Sequence, residues 1–317
     1  MKKTLKLISG LALILVVAAA IFITINWEPD RSVDELKDRW AKPPSQFIQI
    51  AGMQVHLRDE GPRNDPTPIV LLHGTGASLH TWNGWADELK KNRRVIRFDM
   101  PAFGLTGPSP DGDYTTENYV RFVVAILDKL KLDHVILGGN SLGGYVAWVT
   151  AVLYPNRIEK LILVDSSGYR FKTKSMPLAF RLANTPVLNQ LMRFVLPRSI
   201  VEKSVRNVYG DPSKVTSELV DRYFDLATRT GNRQALVGRT TQRRLGSLAN
   251  RVPELHLPTL ILWGGLDRLI PPENGDRFHR EIVGSKLVKF DNLGHVPQEE
   301  DPLKTVGPLI DFLAQSN

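Results

Sequence analysis

The sequence predicts an α/β fold, with an eight-stranded, mostly parallel sheet, helices on both faces and an inserted helical cap. Two observations carry this prediction. Short β-rich runs alternate with longer segments of helical periodicity, which is the pattern of β-α units in a parallel sheet. The inner β-rich runs are continuously apolar, as expected where helices cover both faces of a sheet. The composition agrees, since 42% of the 317 residues are hydrophobic and 23% are charged.

The first segment of the chain, residues 1–27, predicts a membrane anchor. Leu7 to Ile25 gives 19 residues without a charge, and a helix needs about 20 such residues to cross a bilayer. Lysines precede this stretch and acidic residues follow it. This bias predicts a single-pass protein with a cytoplasmic N-terminus and the rest of the chain on the periplasmic or extracellular side. The alternatives are a cleaved signal peptide, for which three consecutive alanines offer a site, and a buried helix.

The next two segments are a polar connection and the main domain. Residues 28–45 end in Pro43-Pro44 and indicate a tether, with one helical turn around Val33 to Trp40. Residues 46–317 hold the strand candidates, and Ala51-Gly52 between the first two predicts an antiparallel hairpin at one edge of the sheet. The candidates are Phe47–Ile50, Gln54–Arg58, Ile69–Leu72, Val95–Phe98, Val135–Leu137, Leu161–Val164, Thr259–Leu262 and Leu287–Phe290.

Residues from about 168 to 251 break the alternation and predict the cap. The segment has helix-like runs cut short by prolines and no strand candidate. It holds 16 Lys and Arg against 5 Asp and Glu, a net charge of +11 that exceeds the +8 of the whole chain. Such a surface suits either solvent or anionic lipid headgroups. We expect no nucleic-acid partner, because the basic residues are not interleaved with a motif that reads bases.

Ser141 is the predicted nucleophile. It lies in Gly139-Asn140-Ser141-Leu142-Gly143, between a predicted strand and a predicted helix. The G-x-S-x-G pattern in this context is typical of a nucleophile elbow. The flanking glycines leave room for a tight turn with a strained backbone. The hydroxyl then stands at a helix N-terminus, where free N–H groups and the helix dipole favour a developing negative charge.

A serine hydroxyl needs a base, and the base needs an acid that orients it. His295 follows the last predicted strand, and Asp267 follows the strand Thr259–Leu262, so both should stand at the carboxyl edge of the sheet with Ser141. Nucleophile, acid and histidine then occur in the chain order that goes with this kind of elbow. Asp165, at the end of the strand before the cap, is the alternative acid.

The oxyanion of a tetrahedral intermediate needs hydrogen-bond donors that are positioned in advance. We expect one from the backbone N–H of Leu142, the residue after the nucleophile. The other should come from the loop after Ile69–Leu72, at the N–H of Thr75, with Gly76 as the alternative. His73 in the same loop is expected to brace it. No metal and no organic cofactor are expected, and the chain has no cysteine.

These motifs together resemble the α/β-hydrolase superfamily over about residues 47–317. His73-Gly74, the run from Asp99 to Gly104, the elbow, Asp267 and Gly294-His295 fall in the family's order. The elbow serine argues against haloalkane dehalogenases and epoxide hydrolases, which carry an aspartate nucleophile. Two groups remain. One is bacterial esterases and lipases similar to monoacylglycerol lipases. The other, less close, is the meta-cleavage-product hydrolases of aromatic ring degradation, which break carbon–carbon bonds and also favour Asn before the serine.

Two departures favour the esterases. The carbon–carbon hydrolases usually show Gly-Pro-Gly after the His-Gly pair and tryptophan after the catalytic histidine, whereas this chain has Thr75-Gly76-Ala77 and Val296. The resemblance therefore implies a membrane-anchored serine carboxylesterase or lipase that cleaves medium-chain or monoacyl lipid-like esters through an acyl-enzyme. A carbon–carbon bond hydrolase and a non-catalytic binding protein of the same fold are the alternatives. The oligomeric state is not predicted.

Overall fold

The computed structural model describes residues 2–186, 188–244 and 246–315. The five remaining residues fall within the predicted anchor, cap and main domain and lie outside the described part of the chain: Met1, Val187, Leu245, Ser316 and Asn317.

One sheet organises the molecule. Its strands are β1 (Gln46–Ile50), β2 (Met53–Glu60), β3 (Ile69–Leu72), β4 (Val95–Phe98), β5 (Val135–Asn140), β6 (Ile158–Val164), β7 (Thr259–Gly264) and β8 (Lys286–Phe290). They are ordered β1-β2-β4-β3-β5-β6-β7-β8. β1 pairs with β2, and β2 with β4, in antiparallel fashion, while β3 to β8 run parallel. The predicted eight-stranded, mostly parallel sheet is confirmed.

Helices cover both faces of this sheet, as the continuously apolar strands predicted. The described helices are α1 (Lys2–Ile25), α2 (Val33–Trp40), α3 (Asn83–Leu89), α4 (Thr116–Lys129), α5 (Leu142–Leu153), α6 (Leu178–Ala183), α7 (Leu188–Leu191), α8 (Arg198–Val208), α9 (Ser217–Thr228), α10 (Asn232–Gln242), α11 (Glu273–Glu281), α12 (Pro297–Glu300) and α13 (Pro302–Leu313). The apolar faces of α4, α5 and α11 bury residues in one core. The core on the opposite face takes residues from α3 and α13.

The helices α6 to α10 lie between β6 and β7, in the segment where the sequence places the cap. They bury their apolar side chains in a cluster of their own, which includes Met192, Leu196, Val205 and Phe224. Val296, which follows the candidate histidine, also belongs to this cluster. The cap therefore packs directly over the sheet edge that carries the predicted site.

Residues 27–40, here called the N-terminal strap, lie on the cap. Trp27 stacks on Phe194 with the ring centroids 5.2 Å apart. Further along, Asp225 of α9 accepts hydrogen bonds from Arg31 at 2.7 Å, from Arg39 at 3.1 Å and from Trp40 Nε1 at 2.9 Å. The capping box of Ser32 and Glu35 starts α2, whose buried face holds Leu36 and Trp40 against Leu226. Part of the predicted tether is thus packed structure.

The predicted single-pass membrane anchor is wrong. Within the described residues, no helix combines the length and the apolar character that crossing a bilayer requires. Helix α1 does cover the predicted segment, but its uncharged stretch of 19 residues is at the short end of the range for a span. The predicted cytoplasmic N-terminus and periplasmic or extracellular main domain depended on that span.

Candidate active site

Ser141 stands on a sharp turn between β5 and α5. Its backbone has φ +55° and ψ −111°, which is a strained conformation for a residue with a side chain. Hydrogen bonds at both backbone groups of Ser141 stabilise this conformation. The Ser141 N–H donates to the carbonyl of Val164 at 3.0 Å, and the Ser141 carbonyl accepts from the N–H of Ser167 at 3.1 Å. The turn directs Ser141 to the cavity between the sheet and the cap.

The glycines around Ser141 are required by close backbone approaches. A Cβ on Gly139 would lie 2.2 Å from the carbonyl carbon of Gly143, and one on Gly143 would lie 2.1 Å from the carbonyl oxygen of Leu72. No side chain fits at these distances. The spacing of the G-x-S-x-G pattern therefore reflects how tightly α5 crosses the ends of β3 and β5.

His295 and Asp267 form a buried pair at the carboxyl edge of the sheet. Nδ1 of His295 and Oδ2 of Asp267 are 2.7 Å apart. The other oxygen of Asp267 accepts the backbone N–H groups of Leu269 at 2.8 Å and Ile270 at 3.0 Å, which fixes the carboxylate. A carboxylate held against Nδ1 leaves Nε2 of His295 as the free position for proton transfer. His295 lines the same cavity as Ser141.

Asp165, the alternative acid, is buried close to Asp267 and His295. It ends β6 with a positive φ of 43° and is fully buried. Its Oδ1 accepts the N–H of Gly264 at 3.0 Å, and its Oδ2 has no partner among the described residues. Burial, and then the nearby charge of Asp267, raise the pKa of the Asp165 carboxyl well above its ordinary range. The structure thus places Asp267, rather than Asp165, in hydrogen-bond contact with His295.

The residues expected to supply the oxyanion donors lie near Ser141. Thr75 and Gly76 line the cavity with Ser141, and Leu142 opens α5 directly after it. The side chain of His73 is buried beneath this loop: Nε2 accepts the N–H of Met100 at 2.9 Å, and Nδ1 donates to the carbonyl of Gly74 at 2.7 Å. Burial lowers the pKa of His73, which keeps the ring neutral and suits a bracing role.

The cavity above Ser141 encloses about 1050 Å³ when its open mouth is included. Most of its wall is apolar and comes from the cap, with Phe180, Met192 and Leu196 among the lining residues. Asn232 and Arg233, at the start of α10, add polar groups. The cavity is therefore suited to a substrate that is mainly apolar and carries a localised polar or charged group.

Arg233 was not singled out by the sequence, and it is the only arginine in the wall of this cavity among the described residues. The residue is 6% exposed. Its Nη2 donates to the carbonyl of Glu28 at 2.7 Å and to Asp30 at 2.6 Å. Its Nε and Nη1 are buried without a partner among the described residues. These two N–H groups are available to an anionic group in the cavity.

Glu300 is a second residue that the sequence did not reveal. Its carboxylate accepts the N–H of Gly294 at 2.8 Å, just before His295. It also accepts the N–H groups of Gly210 at 2.9 Å and Asp211 at 2.8 Å, at the end of α8 in the cap. In addition, the His295 N–H donates to the carbonyl of Val208 at 2.7 Å. The histidine loop is therefore fixed to the cap by charge-assisted hydrogen bonds.

The described residues offer one cluster with metal-ligand atoms, in which atoms of Asp165, Asp267 and His295 lie within 4.8 Å of one another. In this cluster, Oδ1 of Asp165 accepts the N–H of Gly264, and Oδ2 of Asp165 has no partner among the described residues. Asp267 uses both oxygens on backbone N–H groups and His295, so the arrangement is suited to holding a proton-transfer group rather than to ligating a cation.

Comparisons with known proteins find several that are similar to this chain. The family model described as the alpha/beta hydrolase fold matches residues 67–302. A 2-hydroxy-6-oxo-2,4-heptadienoate hydrolase of Pseudomonas putida is 31% identical over 278 residues, which are 85% of this chain and 96% of that protein. A solved meta-cleavage product hydrolase from Pseudomonas fluorescens superposes with a TM-score of 0.74 at 25% identity, over 86% of this chain and 98% of its own. The structure of a membrane phospholipase A shares the fold with a TM-score of 0.72 at 24% identity, over 99% of this chain and 98% of its own.

Proposed function

Because the chain belongs to the α/β-hydrolase family, we propose that it hydrolyses a carbonyl compound through an acyl-enzyme at Ser141. His295 takes the proton of the Ser141 hydroxyl as Oγ attacks the carbonyl carbon, and Asp267 stabilises the imidazolium that forms. The N–H groups of Leu142 and Thr75 stabilise the oxyanion. His295 then protonates the leaving group. It next removes a proton from water, which attacks the acyl carbon and releases the acid and Ser141.

The bond that the comparisons favour is a carbon–carbon bond next to a ketone. A relative that is 31% identical to this chain is named as a hydrolase of a 2-hydroxy-6-oxo-dienoate. A solved structure at 25% identity is named as a meta-cleavage product hydrolase. In a 2-hydroxy-6-oxo-dienoate, Ser141 would attack carbon 6, and the bond between carbons 5 and 6 would break. Carbon 5 takes up the proton from His295, so the products are a carboxylic acid and a 2-hydroxydienoate. This assignment corrects the sequence-based preference for esters.

The observation that carries this substrate class is Arg233. A dienoate is an apolar chain that ends in a carboxylate, and the cavity pairs an apolar wall with one buried guanidinium. The unpartnered Nε and Nη1 of Arg233 each carry N–H groups that can donate a charge-assisted hydrogen bond to a carboxylate oxygen. The substrate would then lie between Arg233 in the cap and Ser141 on the sheet.

Hydrolysis of carboxylic esters with an apolar acyl chain is the second candidate, and the lining of the cavity favours it. The cap contributes Phe180, Met192 and Leu196 to the wall, which is more apolar surface than a short oxo-dienoate needs. The chain also departs from the carbon–carbon hydrolases at Gly76-Ala77 and Val296. The chemistry at Ser141 is the same in both cases, and the leaving group is an alkoxide rather than a carbanion.

One set of assays separates the two candidates. Wild type, Ser141→Ala and Arg233→Gln are given a 2-hydroxy-6-oxo-dienoate and a series of nitrophenyl esters from acetate to palmitate. We expect Ser141-dependent cleavage of the dienoate, with KM about tenfold higher or more in Arg233→Gln, and unchanged KM for the uncharged esters. Arg251→Gln is the control, because Arg251 pairs with Glu254 and does not line the cavity.

Three outcomes would contradict parts of the proposal. Ser141-dependent turnover of esters with no cleavage of the dienoate would replace the first candidate by the second. Equal KM increases for charged and uncharged substrates in Arg233→Gln would remove the carboxylate role of that residue. Folded protein that does not react with a fluorophosphonate at Ser141 would refute the serine mechanism and favour a binding protein.

A further inference from the structure

A second cavity lies on the other side of the start of α5 from the active site. We call it the arginine cavity, because Arg239, Arg243 and Arg244 line it. It encloses about 480 Å³ with its mouth included. Leu142 lines this cavity, whereas its neighbour Ser141 lines the active-site cavity. Neither the candidate triad nor the proposed reaction uses it.

Arg239 is buried in this cavity without an anionic partner. The residue is 7% exposed, and its Nε has no hydrogen-bond partner among the described residues. Burial lowers the pKa of Arg239, and the polar group that partly offsets this effect is the phenol of Tyr119. A buried cation costs several kcal/mol unless an anion compensates it. The protein itself supplies no such anion here, since no described carboxylate acts on Arg239.

Two more cations stand next to Arg239 at the end of α10. The pKa of Arg243 is lowered to about 10, first because its guanidinium loses solvent and then because Arg239 is charged. The residue as a whole is nevertheless exposed. Arg244 follows it in the chain and is also exposed. Like charges gathered without counter-charges destabilise the folded protein. An anion bound between them would remove this repulsion.

The cavity also offers neutral hydrogen-bonding groups. The hydroxyl of Tyr145, one turn into α5, is buried and has no partner among the described residues. Thr116 and Ser167 line the same cavity. Guanidinium groups together with hydroxyl donors are the groups that proteins use to bind phosphate oxygens.

We propose that the arginine cavity binds the phosphate group of a small phosphate monoester. A phosphate monoester carries nearly two negative charges at neutral pH and three terminal oxygens that accept hydrogen bonds. Three guanidinium groups match that charge better than they match a single carboxylate. The buried guanidinium of Arg239 binds the phosphate at the base of the cavity, and Arg243 and Arg244 bind it at the mouth. This inference does not rest on the proposed reaction.

The test measures binding of inorganic phosphate and of glycerol 1-phosphate to the full chain, by calorimetry and by the shift in Tm. Sodium chloride at matched ionic strength controls for screening. We expect saturable binding that weakens about tenfold or more in Arg239→Gln, because a charge-assisted hydrogen bond is lost. Arg251→Gln should bind like wild type, since Arg251 does not line the cavity. Should Arg239→Gln fail to fold, the double variant Arg243→Gln with Arg244→Gln tests the same site from its mouth.

A lipid headgroup carries the same chemistry as a soluble phosphate monoester, so vesicles form a second arm. Vesicles that contain phosphatidic acid are compared with vesicles of phosphatidylcholine alone. Binding to the former that depends on Arg239 identifies a headgroup as the source, and binding of soluble phosphate alone identifies a free ligand. No saturable binding of any phosphate, or binding that Arg239→Gln and the double variant leave unchanged, would overturn the proposal.

Discussion

Replacing Asp165 by asparagine should make the stability of the folded protein less sensitive to pH. Asp165 is fully buried and shares its site with Asp267, so its pKa lies well above the ordinary value of 3.8. In the unfolded chain the same carboxyl ionises near that ordinary value. Between the two pKa values the unfolded state is ionised and the folded state is protonated. Rising pH therefore favours unfolding over this interval.

The magnitude follows from proton linkage. Each pH unit in that interval costs the wild type about 1.4 kcal/mol of unfolding free energy. Asparagine does not titrate, and it keeps an acceptor for the N–H of Gly264. Aspartate and asparagine both tolerate the positive φ of this position better than most residues, so the exchange adds no backbone strain.

The assay is urea unfolding, followed by tryptophan fluorescence, at pH 5, 6 and 7. We expect the stability of Asp165→Asn relative to wild type to rise with pH, by up to about 1.4 kcal/mol per pH unit. Asp133→Asn is the control, because Asp133 is exposed, and its difference from wild type should stay constant. A constant difference for Asp165→Asn would refute the reasoning and would mean that Asp165 is ionised in the fold. A loss of kcat beyond about tenfold would make Asp165 the acid that orients His295.

Three further changes probe the triad, the elbow and the strap, and a fourth, in α13, is the control for the elbow. Asp267→Asn should lower kcat about ten-thousand-fold in the assays with Ser141-dependent substrates while Tm stays near that of wild type, because the histidine loses its orienting acid. Gly143→Ala should cost about 3 kcal/mol or more in urea unfolding, since its Cβ meets a backbone oxygen at 2.1 Å. Gly307→Ala, in open space on a helix, should instead stabilise by about 0.5–1 kcal/mol. Asp225→Asn should loosen the N-terminal strap by about 1.5–3 kcal/mol and speed limited proteolysis within residues 27–40.

The fold and the placement of the site residues at one sheet edge were predictable, because both depend on local rules that act along the chain. Apolar runs bounded by turns became strands, and the strand–turn–helix context of Ser141 required a tight elbow whatever the rest of the chain did. The carboxyl ends of parallel strands meet at one edge. Asp267 and His295 therefore had to approach Ser141 once β7 and β8 were recognised.

The rest depended on contacts that no local pattern encodes. Arg233 is one of 16 basic residues in the cap segment, and what distinguishes it is its direction into the cavity and the absence of partners for two of its nitrogens. Glu300 fixes the histidine loop from a helix that follows it, through backbone groups whose positions the sequence does not give. The membrane span was predicted from the length and apolar character of Leu7 to Ile25, and no described helix meets both requirements.

The N-terminal strap contacts Arg233 in the wall of the cavity. The strap therefore affects which substrates the cavity can bind. Glu28 and Asp30 hold one nitrogen of Arg233 at 2.7 and 2.6 Å, and this contact leaves Nε and Nη1 available to the cavity. An arginine side chain without such contacts samples many rotamers, and ordering it on binding costs up to about 2 kcal/mol. The strap removes that cost before the substrate arrives. For the anionic substrate proposed above, a part of the chain 203 to 205 residues away from Arg233 would thus contribute to affinity without touching the substrate.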